Sequence, residues 1–132
     1  MLPVMRLIGI DFGTKRVGIA LSDEDGTMAL PHTVLENTDD LVQKVHTIIK
    51  DNEVSEIVIG ESVNFEGEDN PVMKKIIKFK EQLEKECGKK VHLEPEVLTS
   101  VEARRTGVDK KMLDASAATL ILQSYIDKHH GE

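Results

Sequence analysis

The sequence predicts an α/β fold: a five-stranded mixed sheet in the order 3-2-1-4-5, with helices on both faces. Three observations predict it. The chain opens with three extended segments separated by glycine-containing turns, as an antiparallel meander does. After residue 36 the hydrophobic spacing changes from the strand period to the helical one. From there on helical and extended segments alternate, which calls for parallel strands joined by crossover helices.

Residues 4–10 are mostly apolar and read as a buried strand, with Gly9 permitting close backbone approach. Residues 12–16, Phe-Gly-Thr-Lys-Arg, form a turn, and residues 17–21 pair back on the first strand as a hairpin. Asp23-Glu24-Asp25-Gly26 is a second turn. Residues 28–35 make the third strand, which Pro31 moves to the sheet edge because proline cannot donate to a ladder. Leu41, Val45, Ile48 and Ile49 then share one helical face, capped by Asn37 or Thr38. Residues 54–60 contain Ile57-Val58-Ile59 and read as a central strand, and residues 61–70 as a polar loop.

Pro71 suits the first position of the next helix, whose apolar side is Val72, Ile76, Ile77, Phe79 and Leu83, and which Gly88 ends. Residues 91–94 are a short fifth strand. Thr99-Ser100-Val101-Glu102 has capping-box spacing and starts a short helix. The last helix spans about residues 112–128, and its alanines, leucines and isoleucines make it apolar over most of its girth, so it is largely buried.

The length of 132 residues suits one domain over residues 1–132. The single cysteine, Cys87, cannot form an internal bridge, which fits a reducing compartment. No apolar run approaches a membrane span, and Arg6 and Asp11 interrupt any signal-peptide core. A cytoplasmic protein without a membrane partner is expected. The formal net charge of −7 counts against indiscriminate nucleic-acid binding, which depends on neutralising phosphates. The pairs Lys15-Arg16, Lys89-Lys90, Arg104-Arg105 and Lys110-Lys111 can still form a local basic patch, although each alone reads as solvated surface. With aromatics at 3%, a base-stacking platform is not expected.

In such sheets ligands gather outside the carboxyl ends of the parallel strands, at the switch point. Asp11 ends the first strand, Glu61 follows the fourth and Glu96 follows the fifth, so these acids are expected to converge. Asp114 lies on the first turns of the last helix and is expected to aim at the same end. Each has a plainer role open to it: Asp11 can cap its turn, Glu96 can be a solvated acid, and Asp114 can be a helix N-cap. Thr14 can donate to a phosphate or cap its own turn. Carboxylates without His or Cys select hard ions, Mg²⁺ or Mn²⁺, and two such ions can activate water and stabilise a leaving oxygen in phosphodiester cleavage.

Residues 9–23, Gly-Ile-Asp-Phe-Gly-Thr-Lys-Arg-Val-Gly-Ile-Ala-Leu-Ser-Asp, closely resemble the opening motif of the YqgF family, also called RuvX. Leu98-Thr99-Ser100-Val101-Glu102-Ala103 resembles the segment after that family's Asp-Glu-Arg motif. Residues 110–127 resemble its closing helix. The resemblance implies a ribonuclease H-like fold and a nuclease, acting on pre-16S rRNA or on four-way DNA junctions. It implies catalytic acids at Asp11, Glu96 and Asp114. Two departures stand out: Pro95-Glu96-Val97 replaces Asp-Glu-Arg, and Gly60-Glu61-Ser62 replaces Gly-Leu-Pro. Glu61 stands roughly where RuvC-type resolvases carry an acid, so it is a candidate fourth metal ligand. The expected partner is nucleic acid, pre-rRNA or branched DNA, and the chain acts as a monomer or homodimer. Thr14, Lys15, Arg16, Lys110 and Lys111 are the candidate substrate contacts.

Two other classes compete. The first motif also resembles a phosphate loop of the actin and sugar-kinase group, which needs two such domains around ATP. The altered Asp-Glu-Arg block and the acidic balance suit a non-catalytic ribosome-assembly module. ATP binding, or metal-dependent cleavage lost with Asp11, separates the three.

Overall fold

Apolar residues at alternate positions set β1 (Arg6–Phe12), in a computed structural model that describes residues 6–61, 71–95 and 110–130, without the side chains of residues 61, 71, 72, 95, 110–116, 129 and 130. Ile8, Ile10 and Phe12 face one side of the sheet and Leu7 the other, so both faces of this central strand are buried. β2 (Arg16–Ser22) and β3 (Ala29–Glu36) follow as an antiparallel meander. β4 (Val54–Glu61) and β5 (Val91–Pro95) add in parallel on the other side of β1. The order is β3-β2-β1-β4-β5, as the sequence predicts. Pro31 sits in β3, an edge strand.

Helix α1 (Leu41–Asp51) and α2 (Pro71–Cys87) cover one face; Leu41, Val45, Ile49, Ile76, Phe79 and Leu83 pack on Ile8, Ile10, Ile57 and Ile59. Helix α3 (Lys110–His130) covers the other. Ala118, Ile121, Leu122, Tyr125 and Ile126 pack there on Leu7, Ala20 and Val58. Gly9 makes this approach possible: a Cβ on it would lie 2.6 Å from Leu122 Cβ and 2.9 Å from the Ala118 carbonyl oxygen.

Most element ends differ from the sequence reading by one or two residues, and three of the differences have a visible cause or bear on the site. β1 continues through Phe12, whose ring is buried against Phe79 with centroids 5.1 Å apart. The N-cap of α1 is Asp40, not Asn37 or Thr38, because the helix begins only at Leu41, and the side chains of Asn37 and Thr38 have other partners. The Asn37 amide donates to the Gly13 carbonyl at 2.7 Å, and the Thr38 hydroxyl donates to the Asp40 carboxylate. Glu61 belongs to β4 and pairs with Pro95, so the strand runs one residue into the expected loop. Pro71 does open α2, and Gly88, at φ +65, follows its end. The short helix expected at Thr99 lies outside the described residues.

Candidate active site

Asp11 is the penultimate residue of β1, half-buried, on the α3 face of the sheet, while Phe12 beside it faces α1 and α2. On one side β1 pairs antiparallel with β2, and on the other parallel with β4. The chain direction of the sheet therefore changes at β1, and Asp11 stands at its carboxyl end. Its partner on β2 is Gly18. One step beyond the Ile10–Ile59 pair in the β1–β4 register brings Asp11 level with Gly60. Both flanking positions thus lack a side chain.

Gly60 in turn pairs with Glu94 of β5. Glu94 is 3% exposed, an acid that the sequence reading did not single out. It accepts a hydrogen bond from the Ser124 hydroxyl at 3.1 Å and an ion pair from Lys128 Nζ at 2.7 Å. These contacts tie the end of β5, from which the chain proceeds to Glu96, to α3. A buried carboxylate with a cation and a hydroxyl is satisfied, so Glu94 holds elements together. The only sequence signal for it was an acid inside a strand.

Glu96 lies outside the described residues. Glu61 and Asp114 belong to β4 and α3, and their side chains lie outside what is described. Among the described residues no three His, Cys, Asp or Glu side chains gather where they could hold a metal ion. Thr14 and Lys15 are exposed in the β1–β2 turn, and Arg16 is half-buried at the start of β2 opposite Glu36. The Asn37 backbone N–H donates to the Lys15 carbonyl at 2.9 Å, which fixes the turn. Lys110 and Lys111 open α3. No described helix is long and apolar enough to cross a membrane.

Over residues 5–128 the chain matches the RuvX family, described as "Holliday junction resolvase". A protein of Maridesulfovibrio salexigens named "Putative pre-16S rRNA nuclease" is 36% identical over 92% of this chain and 98% of its own length. One of the same name from Caldanaerobacter subterraneus subsp. tengcongensis is 37% identical, covering 93% and 96%. Among solved structures, T. thermophilus RuvC in complex with a Holliday junction substrate superposes with a TM-score of 0.66 at 14% identity, covering 96% of this chain and 97% of that one. The fowlpox virus resolvase bound to Holliday junction DNA gives 0.60 at 14% identity, covering 94% and 98%. At such identities these structures establish the ribonuclease H-like fold.

Proposed function

The chain belongs to the RuvX family, and from that premise we propose that it is a metal-dependent nuclease that hydrolyses phosphodiester bonds in precursor 16S rRNA, through Asp11, Glu96 and Asp114. The observation that carries this is Asp11 itself. A half-buried acid stands next to last in the central strand, where the sheet changes direction, flanked by two glycine positions.

The other acids fit the same end by their positions. Glu96 follows Pro95, the last residue of β5. Position 114 lies one helical turn before Ala118, whose carbonyl packs against Gly9, two residues before Asp11. Glu61 ends β4 opposite Pro95 and is the proposed fourth carboxylate. An all-oxygen donor set fits Mg²⁺ or Mn²⁺, held by Asp11, Glu96, Asp114 and Glu61. When bound, two such ions supply an activated water and neutralise the leaving oxygen. The exposed Lys15 with Arg16, and Lys110 with Lys111, bind the phosphates on either side, and the Thr14 hydroxyl donates to a phosphate oxygen.

The test compares pre-16S rRNA, single-stranded RNA and a four-way DNA junction in Mn²⁺. Cleavage of the pre-rRNA is expected, and Asp11→Asn is expected to lower it at least about 100-fold, the scale seen when one electrostatic stabiliser of a transition state is removed. Cleavage undiminished in Asp11→Asn removes the proposal. The family description favours a second substrate, the four-way junction, and preferential cutting of it by a two-fold dimer would select that reading.

A further inference from the structure

The net charge of −7 conceals a local reversal. Residues 71–80, the first half of α2, carry Lys74, Lys75, Lys78 and Lys80 and no acid. Lys80 pairs with Glu84 at 3.2 Å. Lys75 and Lys78 are exposed, one turn apart on the same helix face. They rim a groove of about 460 Å³ between α2, the start of α1 and the β1–β2 turn. Its other polar groups are Thr14, Asn37, Thr38 and Gln82, over a floor that includes Phe12 and Phe79. Asp39 is the only acid among its described lining residues, against two lysines. Asp40 gives α1 no side-chain cap; it is occupied by Thr38 and by Lys44 at 3.6 Å. The groove opens at the same end of β1 as Asp11, but on the opposite face, because Phe12 and Asp11 are consecutive in the strand.

We propose that this groove, through Lys75 and Lys78, binds the sugar–phosphate backbone of a single nucleic-acid strand where it passes over the end of β1 beside Asp11. The identity of the occupant rests on the nuclease reading. The chemistry rests on the groove: two cations, with the Thr14 hydroxyl and the Gln82 amide suited to phosphate and sugar oxygens. Its aromatic floor is nearly covered, with Phe12 at 9% and Phe79 at 4% exposed, so bases have no ring face to stack on. Recognition is therefore independent of base sequence and sensitive to salt.

The experiment measures binding of a short single-stranded RNA, and of the DNA of the same sequence, in EDTA across a salt series. Each lysine–phosphate contact contributes about 0.7 to the slope of log K against log salt. Lys75→Gln/Lys78→Gln is expected to bind more weakly and to reduce the slope by about 1.4, so that its deficit relative to the parent shrinks about sevenfold between 50 and 200 mM salt. Lys75→Arg/Lys78→Arg is expected to restore the parent's slope. Lys50→Gln/Lys85→Gln, equal in charge and away from the groove, is expected to keep it. An unchanged slope in the first variant, an equal loss in the control pair, or a loss confined to RNA or to DNA overturns the proposal. The nuclease reading is scored separately by cleavage in Mn²⁺. If the lysine variant cleaves and binds like the parent, the groove fails and the nuclease stands; if nothing cleaves while the slope still shifts, the reverse holds.

Discussion

At the scale of single residues, Gly9 shows how a backbone position without a side chain serves a site it does not touch. Its Cα lies under α3 so closely that a Cβ would meet Leu122 Cβ at 2.6 Å and the Ala118 carbonyl at 2.9 Å. A leucine side chain can adjust, but a helix carbonyl cannot move without shifting the helix. Gly9→Ala is therefore expected to destabilise the fold by about 1–3 kcal/mol, the cost of overpacking a filled interior. Urea denaturation checks this, and an equal or higher midpoint in the variant would mean that α3 sits further from β1. The sequence signalled this contact, since a glycine inside an apolar strand marks close approach. It did not signal Glu94, because an acid near a strand end reads as solvated until Ser124 and Lys128, 30 and more residues away, are known to reach it. Lys75 and Lys78 were missed for the same reason. Lysines on a helix read as a solvent face, and the groove they rim exists only once Thr14 and Asn37 have been brought opposite.

Among the elements, strands and helices were legible where their own residues decide them and illegible where a distant partner does. Apolar alternation and helical spacing depend on neighbours in the chain, so the described strands, helices and sheet order all follow from them. The cap of α1 does not. Asn37 is the better local candidate, but the open carbonyl of Gly13, 24 residues earlier, takes its amide. The seam between α3 and β5 is likewise a long-range product, and it carries a pH dependence. Tyr125 packs at 5.1 Å from the His92 ring, and its hydroxyl is held above the ordinary 10.0, first by burial and then by the charge of Glu56 and the hydrogen bond to it. A tyrosine raised in the folded state ionises more readily when unfolded, so its stabilisation is complete below about pH 10 and declines as pH rises beyond that. Cys87, raised from 9.0 by burial, acts with the same sign from lower pH, so the comparison belongs in a Cys87→Ala background. There, stability by denaturant between pH 8 and 11 is expected to fall above pH 10, and Tyr125→Phe to flatten the fall. Parallel curves for the two proteins would place the alkaline sensitivity elsewhere.

For the whole molecule, the proposed site sets function against folding. The chain carries 24 acids against 17 lysines and arginines, and folding concentrates several of those acids at the carboxyl end of β1 on the proposed reading. Carboxylates brought together repel unless a cation lies between them, so the metal-free fold is expected to be less stable than its core alone implies. A divalent ion that binds only the folded chain stabilises it by mass action, by about 2.7 kcal/mol at a hundred times its dissociation constant. Mn²⁺ is thus expected to raise the melting temperature of the parent by several degrees. Asp11→Asn removes a ligand and a repelling charge together, so it is expected to melt at or above the parent in metal-free buffer and to lose most of the Mn²⁺ shift. Glu61→Gln separates the three-acid site from the four-acid one. If Glu61 is a ligand, its variant melts at or above the parent in metal-free buffer and shows a smaller Mn²⁺ shift, with weaker Mn²⁺ affinity by calorimetry. If Glu61→Gln matches the parent in both, the site consists of Asp11, Glu96 and Asp114. If Asp11→Asn also gains the full shift, Mn²⁺ is acting on scattered surface acids, and no bound ion at Asp11 underlies the chemistry.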